Sequence, residues 1–446
     1  MNEVESVLNA NQLQELSQEI LKEASRLGAH QAEVFIAGSK GFSVRAREGD
    51  VETVEYNQDK SIEITVYFDK RSGTASISDI RKEAVHAAVE AACHIAKFTD
   101  EDPAAGLANK DELAFDYPHL ESGYTWDISV EKAIELACEC EREALAYDKR
   151  IMSAEEVSVA TGNAITIYAN SHGFLGLFPY ARHEISCVLV AKDGDEMQRD
   201  YSYSIATDPS TLEGVSHIAR VAAERTVRRL GAQRLSTRKA PVIFIAEEAR
   251  GLLGHFAAAI HGGHLYRKSS FLLDHLGKKI FPDFVQIKEQ PHLPFALGSA
   301  PFDDDGVRTS PNVFIENGIL QSYALSAYSA RKLGMKNTGN AGGTHNLTIQ
   351  PGTKNLAELL KTMGTGLLIT EMMGQGVNLI TGDYSRGVGG YWIENGEVKY
   401  PVNEITVASK LQDMYAHLVE VGNDVDVRGN IRTGSILIEE MMIAGN

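Results

Sequence analysis

The sequence predicts an α+β protein in two units: an N-terminal α/β domain built on a hairpin-rich sheet, and a C-terminal β-rich, barrel-like domain with packed helices. Three observations carry this. Amphipathic helical stretches and strand-like runs alternate through the first half of the 446 residues. A polar, basic, aperiodic segment at 231–241 interrupts the chain near its middle. Beyond it, glycines thicken between Gly339 and Gly390, and Asn-Gly pairs stand between apolar runs, a hairpin signal because both positions tolerate positive φ. A prior of ~150 residues per domain allows two or three units, and the domains are placed at 1–232 and 233–446.

Taken in order, Leu13, Leu16, Ile20, Ala24 and Leu27 recur at helical spacing, so residues 10–27 read as an amphipathic helix. Strand-like runs follow at 32–37, 42–47 and 51–56, and a hairpin pattern at 61–68 and 72–78 flanks Asp69-Lys70-Arg71. Residues 80–97 and 129–147 are Ala- and Glu-rich with helical periodicity, and 98–127 is a long connection between them. A second β-rich stretch runs from 155 to 205 with a turn at Asn170-Ser171-His172-Gly173. The helix at 212–230 carries Arg228-Arg229 in its last turn and Gly231 just beyond, both suited to a helix C-terminus. The second half opens with a buried-strand run at 242–246 and a helix from Glu247 to about Ile260. Phe314-Ile315-Glu316-Asn317-Gly318-Ile319 and Trp392-Ile393-Glu394-Asn395-Gly396-Glu397 echo each other as hairpins, too briefly for a repeat architecture.

Composition excludes several function classes. Hydrophobic residues are 43% and charged residues 23% of the chain, an ordinary globular balance. The net charge of −18 repels phosphate backbones, and Arg228-Arg229 and Lys278-Lys279 are isolated pairs on solvated faces, so no nucleic-acid partner is expected. The acidic start, Met1-Asn2-Glu3-Val4-Glu5, lacks the basic residues and apolar core of a secretory signal. No apolar run approaches the ~20 residues that span a bilayer. A cytoplasmic protein without membrane attachment is expected. Cys93, Cys138, Cys140 and Cys187 read as reduced thiols, because Cys138 and Cys140 point apart on a helix and no second pair completes a zinc set.

Chemistry gathers at the strand-to-helix junction Val242-Ile243-Phe244-Ile245-Ala246-Glu247-Glu248-Ala249-Arg250-Gly251-Leu252-Leu253-Gly254-His255. Glu248, Gly251 and His255 share a helix face, and a carboxylate with an imidazole could begin a metal site. Against this, Glu247 and Glu248 stand in the first helical turn, where negative charge favours the dipole. Glu248 and His255 are also roughly 10 Å apart by helix rise. Thr381-Gly382-Asp383-Tyr384-Ser385-Arg386-Gly387 reads as a polar loop, suited either to peptide recognition or to an internal Asp383–Arg386 pair. In Gly342-Gly343-Thr344-His345-Asn346, His345 and Asn346 could contact a ligand or cap neighbouring backbone. No G-x-S-x-G, H-E-x-x-H or Walker loop supplies an independent hydrolase.

Together with Tyr266-Arg267-Lys268-Ser269-Ser270, Asp305-Gly306-Val307-Arg308-Thr309, Val51-Glu52-Thr53-Val54-Glu55-Tyr56-Asn57 and Asn170-Ser171-His172-Gly173, these blocks resemble PmbA/TldE, the metal-free subunit type of the TldD/PmbA (peptidase U62) family. The resemblance covers essentially the whole chain. It implies a subunit of a TldD/TldE-type metalloprotease complex acting on unfolded or short peptides, including peptide antibiotic maturation and antitoxin degradation. In the TldD type, H-E-x-x-x-H at this junction and a later cysteine hold zinc. Laid on that pattern, the histidines fall on Glu247 and Leu252, the general base on Glu248 and the cysteine near Arg428. Leucine cannot ligate zinc, and a guanidinium stays protonated. No zinc or other cofactor is therefore expected in this chain. The zinc belongs to a TldD-like partner, and Asp383, Tyr384, Arg386, His345 and Asn346 are candidates for peptide binding. Alternatives are a stand-alone peptide-binding or regulatory protein, a homodimer in isolation, or an autonomous metallopeptidase using Glu248.

Overall fold

Two copies of one pattern build the N-terminal half. Helix α1 (Ala10–Arg26) leads into a meander of β1 (Gln31–Arg47), β2 (Asp50–Phe68) and β3 (Arg71–Ile77), and α2 (Lys82–Phe98) ends it. Helix α3 (Val130–Tyr147) then leads into β4 (Ile151–Asn170), β5 (Leu175–Asp193) and β6 (Glu196–Ala206), ended by α4 (Val215–Arg228). The computed structural model describes residues 9–445, so the acidic start at 1–5 lies outside the described residues. The six strands form one sheet in the order β3-β2-β1-β4-β5-β6. Strands β1 and β4 join the copies antiparallel with an unbroken register from Glu33↔Asn170 to Ala46↔Val157, which places a pseudo-twofold axis between them.

Alternation along the strands puts all four helices on one face. Val34, Ile36 and Ile64 pack with Leu13, Ile20 and Val89, while Val44, Val159 and Leu189 pack with Ala137, Ala144 and Ile218. The sequence reading split β1 and β2 into shorter runs. The structure corrects this: Gly38, Gly41 and the polar residues 57–60 stay paired across β1 and β2 although they bury no apolar side chain. Gly73 sits where a Cβ would lie 2.2 Å from the Ala92 carbonyl oxygen, so α2 rests directly on β3.

The C-terminal half contains β7 (Arg238–Phe244), α5 (Ala246–Ile260), α6 (Gly262–Tyr266), β8 (Ile287–Glu289), β9 (Asn312–Glu316), β10 (Ile319–Leu320), α7 (Ala327–Leu333) and β11 (Leu347–Ile349). It continues through α8 (Leu356–Met363), β12 (Gly366–Met373), β13 (Asp383–Glu394), β14 (Glu397–Lys410), α9 (Leu411–Ala416), β15 (Leu418–Val421), β16 (Ile431–Arg432) and β17 (Ile436–Ala444). Strands β14, β13, β12, β7 and β17 close into a barrel because β17 pairs back onto β14 at Val407↔Ile443. A second sheet runs β10-β9-β8-β11-β16. Helix α5 lies between them, its Leu253, Phe256 and Ile260 sharing one core with Phe244, Ile287, Phe314 and Leu367. Both Asn-Gly hairpins form, with φ of 51° and 76° at Asn317 and Gly318, and 54° and 77° at Asn395 and Gly396.

The connection between α2 and α3 is fastened by the C-terminal half. Arg331 on α7 donates to the carbonyls of Ala104, Gly106 and Leu107 at 2.7, 2.5 and 3.0 Å, while Tyr328 and Lys332 bind Asp102. The four cysteines carry free thiols. Among the described residues no helix is long and apolar enough to cross a membrane.

The contact of α2 with β3 generates a test. Gly73→Ala forces its new methyl into the Ala92 carbonyl and should cost about 1–3 kcal/mol in denaturant unfolding. Gly162→Ala, whose methyl would meet its nearest atom at 3.9 Å, should stay within about 0.5 kcal/mol of the parent.

Candidate functional site

The site begins where β7 ends. Val242, Ile243 and Phe244 are fully buried between neighbouring strands, and the chain turns at Ile245 into α5, so Glu247 and Glu248 emerge in its first turn. The two carboxylates diverge.

Glu247 points towards the N-terminal half, and its side chain is only 7% exposed. It accepts from Tyr201 Oη of β6 at 2.7 Å, from Arg225 of α4 at 3.2 Å and from Arg428 Nη2 at 3.0 Å. Burial pushes this carboxyl up, but Arg225, Tyr201 and Arg428 together outweigh it and hold the group below its ordinary value. Arg428 also donates to Asp426 at 2.9 Å and to the Tyr203 carbonyl at 3.2 Å, and its guanidinium lies 4.3 Å from the Tyr203 ring centroid. Arg250 completes the network, donating to Tyr203 Oη at 2.9 Å and to the Arg428 carbonyl at 2.8 Å. Leu252 is an apolar core residue whose carbonyl accepts from Tyr415 Oη at 3.1 Å. The positions aligned with zinc ligands therefore hold a carboxylate bound by guanidiniums, a buried alkyl group, and one of those guanidiniums. They do not fit a zinc ion. Among the described residues no group of three or more His, Cys, Asp or Glu side chains is placed to hold a metal.

Glu248 faces away, into a cavity of about 430 Å³ lined also by Arg250, Gly251, Met372, Arg386 and Ile431. No side chain among the described residues hydrogen-bonds its carboxyl. Burial, then the neighbouring Glu247 charge, push it up to about 7, against the pull of Arg386. Further along α5, His255 has a buried Nε2 without a partner, and its ring meets Tyr384 edge-on at 6.0 Å. Burial, and then Arg386, push this imidazole below its ordinary value.

The polar loop expected at 381–387 is corrected by the structure. Of these residues only Thr381 and Gly382 precede the strand, and Asp383 already pairs with Lys410 as the first residue of β13. Asp383 and Arg386 fall on opposite faces of the strand and do not pair. Asp383 is exposed and accepts from Thr381 Oγ1 at 2.6 Å, while Arg386 donates to the Met373 carbonyl at 3.2 Å. Tyr384 is buried, its hydroxyl 3.1 Å from Met372 Sδ, and burial pushes its phenol up to about 12.

His345 lines a second cavity of about 530 Å³ with Asp304, Arg428 and Asn430. Its Nδ1 lies 2.7 Å from Oε1 of the buried Glu289, which Asn340 also contacts. Asn346 is wholly buried, accepting from Gly298 N–H at 3.1 Å and donating to the Gln290 carbonyl at 2.9 Å. The structure thus brings Glu248 and Arg386 to one cavity and His345 and Arg428 to another. It leaves Asp383 on the surface and places Tyr384 and Asn346 in the framework. Tyr201, Arg225 and Glu289 escaped the sequence reading, since no local spacing connects them to their distant partners.

A barrel domain that starts with a strand-to-helix junction bearing paired glutamates, joined to a helix-backed meander sheet, is the architecture that known family models describe. Models described as PmbA/TldA metallopeptidase domain 1, central domain and C-terminal domain match residues 32–96, 123–230 and 237–445. The chain belongs to the PmbA/TldD family. It is 48% identical to a metalloprotease PmbA homolog of Haemophilus influenzae, covering 98% of this chain and 97% of that one. It is 49% identical to metalloprotease PmbA of Escherichia coli O157:H7, over 93% and 92% of the two chains. Among solved structures, a putative modulator of DNA gyrase from Bacteroides thetaiotaomicron superposes with a TM-score of 0.92 at 26% identity, covering 97% and 98%. TldE from Thermococcus kodakarensis shares the fold, with a TM-score of 0.85 at 21% identity, covering 96% and 100%.

Two predictions follow from these charges. Arg428→Ala strips the buried Glu247 of one charged partner and should cost about 2–3 kcal/mol. A double-mutant cycle with Glu247→Gln should show coupling above about 1 kcal/mol in urea unfolding. The Glu248 carboxyl has its ordinary value of 4.5 when unfolded and is pushed up to about 7 when folded, so the folded chain holds the extra proton between these values. Stability should therefore fall as pH rises from 4.5 through 7, and Glu248→Gln should flatten that slope in unfolding midpoints measured across the window.

Proposed function

We propose that this chain is the non-catalytic subunit of a TldD/TldE-type metalloprotease complex that cleaves unfolded or short peptides in the cytoplasm. The single observation behind the proposal is the Glu247–Arg428 ion pair at 3.0 Å, at two positions where the family's catalytic type places zinc ligands. A protonated guanidinium bound to the carboxylate offers no lone pair to a metal. Glu248, at the position of the family's base, has no metal-bound water to activate.

On this reading, zinc resides in a TldD-like partner and this chain shapes a shared peptide chamber. Arg386 and His345, which line cavities, would contact peptide carboxylate or carbonyl groups. Tyr384 and Asn346 would hold the walls in place, and Asp383 would lie at the rim. Maturation of peptide antibiotics and breakdown of antitoxins are the processes that the family resemblance suggests.

The test is reconstitution. The isolated chain should hold no chelator-resistant zinc by elemental analysis, and should cleave peptides only after a TldD-type subunit is added. In that complex Glu248→Ala should reduce kcat by less than about tenfold, against the roughly 10²–10⁴-fold expected on losing a general base. Stoichiometric zinc in the isolated chain, or a thousandfold loss in Glu248→Ala with the fold intact, would overturn the proposal.

A further inference from the structure

The two copies in the N-terminal sheet differ in what covers the outer edge of their middle strand. In each copy the third strand pairs only with the far part of the second: β3 with residues 62–68 of β2, and β6 with residues 183–193 of β5. Among the described residues, the near parts, 50–60 and 175–182, have no strand on that side. In β5 the connection between the copies fills the gap. Tyr117 Oη accepts from Leu177 N–H at 3.2 Å, the Ser122 carbonyl accepts from Ala181 N–H at 3.3 Å, and Ser122 Oγ donates to the Pro179 carbonyl. In β2 the corresponding edge is bare. Among the described residues, no backbone hydrogen bond or isolated bridge reaches residues 50–60 from any element other than β1.

This edge carries charged side chains and a bulge at Glu52, but from Thr53 to Lys60 it is regular and open to pairing. Native sheets blunt such edges with proline, inward charges, bulges or a short strand. Residues 50–60 contain no proline, and a regular ladder with β1 holds them extended as far as the shift beside Ala46. Val51 and Val54 are 38% and 36% exposed, Tyr56 is 74% exposed, and Phe42 flanks Tyr56 with ring centroids 6.2 Å apart. Asp50, Glu52, Glu55 and Asp59 stand against Lys60, and among the described residues only Glu52 of the four has a cationic partner, Arg47 at 3.4 Å.

We propose that residues 50–60 of β2 are a docking edge for an extended strand of the TldD-type subunit that carries lysine or arginine at alternate positions. The identity of that partner rests on the heteromeric reading above. Main-chain pairing would extend the sheet across the subunit boundary, much as β4 extends β1 within the chain. Charge selects the occupant: a second copy would bring the same carboxylates to the seam, whereas a basic strand meets Asp50, Glu55 and Asp59 with opposite charge.

Hydrogen–deuterium exchange on the full-length chain, with and without a purified TldD-type subunit from the same organism, tests this. Complex formation should slow exchange of the outward amides within 50–60. Glu55→Lys combined with Asp59→Lys should weaken the complex by about tenfold or more, with the unfolding midpoint retained as a check on folding. If the subunit binds but these amides exchange as before, the edge assignment fails while the heteromeric reading stands. If they become protected with rising concentration of this chain alone, a second copy is the occupant and the basic partner is overturned. If no TldD-type subunit binds the parent chain, the functional reading fails and takes this inference with it.

Discussion

A carboxylate taken out of water must be met by positive charge or protons, and Glu247 meets that requirement across the whole molecule. Tyr201 and Arg225 come from the N-terminal sheet and its last helix, and Arg428 comes from the loop before β16. One turn beyond Arg225, Arg229 reaches Asp200 and Glu371, the latter on barrel strand β12. The halves are therefore stitched along this side by charge, with an apolar patch around Phe174, Phe302 and Val307 elsewhere. The barrel can present its strand-to-helix junction in only one orientation while these bonds persist. A metal centre would impose similar order, and here a guanidinium does so without Lewis acidity.

Much of the fold was legible. Helical periodicity placed α1 to α4 within a few residues, because each buries a stripe of alanine, joined by leucine, isoleucine, valine or cysteine, on one sheet face. The Asn-Gly hairpins were readable because their turn demands positive φ. What failed were strands whose pairing outruns their burial. Gly38, Gly41 and residues 57–60 pair without an apolar alternation, and at 387–390 glycines hide the strand that continues from Asp383. The duplicated helix–meander–helix pattern also went unseen, since it is a repeat of topology and neither copy preserves a matching motif.

The site was legible in part. The ligand positions were readable only through resemblance, and Glu247 and Arg428 lie 181 residues apart, so their pairing has no local signal. Glu289 stands 56 residues before the histidine it supports. Side-chain direction was the other gap. Tyr384 and Arg386 share one face of β13, yet one fills the core and the other reaches the cavity beside Glu248.

The clasp of Arg331 on the carbonyls of Ala104, Gly106 and Leu107 has a consequence for the order of events on the ribosome. The connection between the two sheet copies is complete early, but its fastener is translated 224–227 residues later. The sheet itself is complete at Ala206, so at about 5–20 residues per second it exists for on the order of six to twenty-five seconds with its strap unfastened by Arg331. During that interval the β1–β4 seam, paired unbroken from Glu33 to Ala46, keeps the two copies in register together with the connection's own bonds to Lys70, Gln31 and Leu177. The nascent chain thus carries its own placeholder: a long seam of main-chain bonds that keeps the sheet aligned until the second half arrives to lock it.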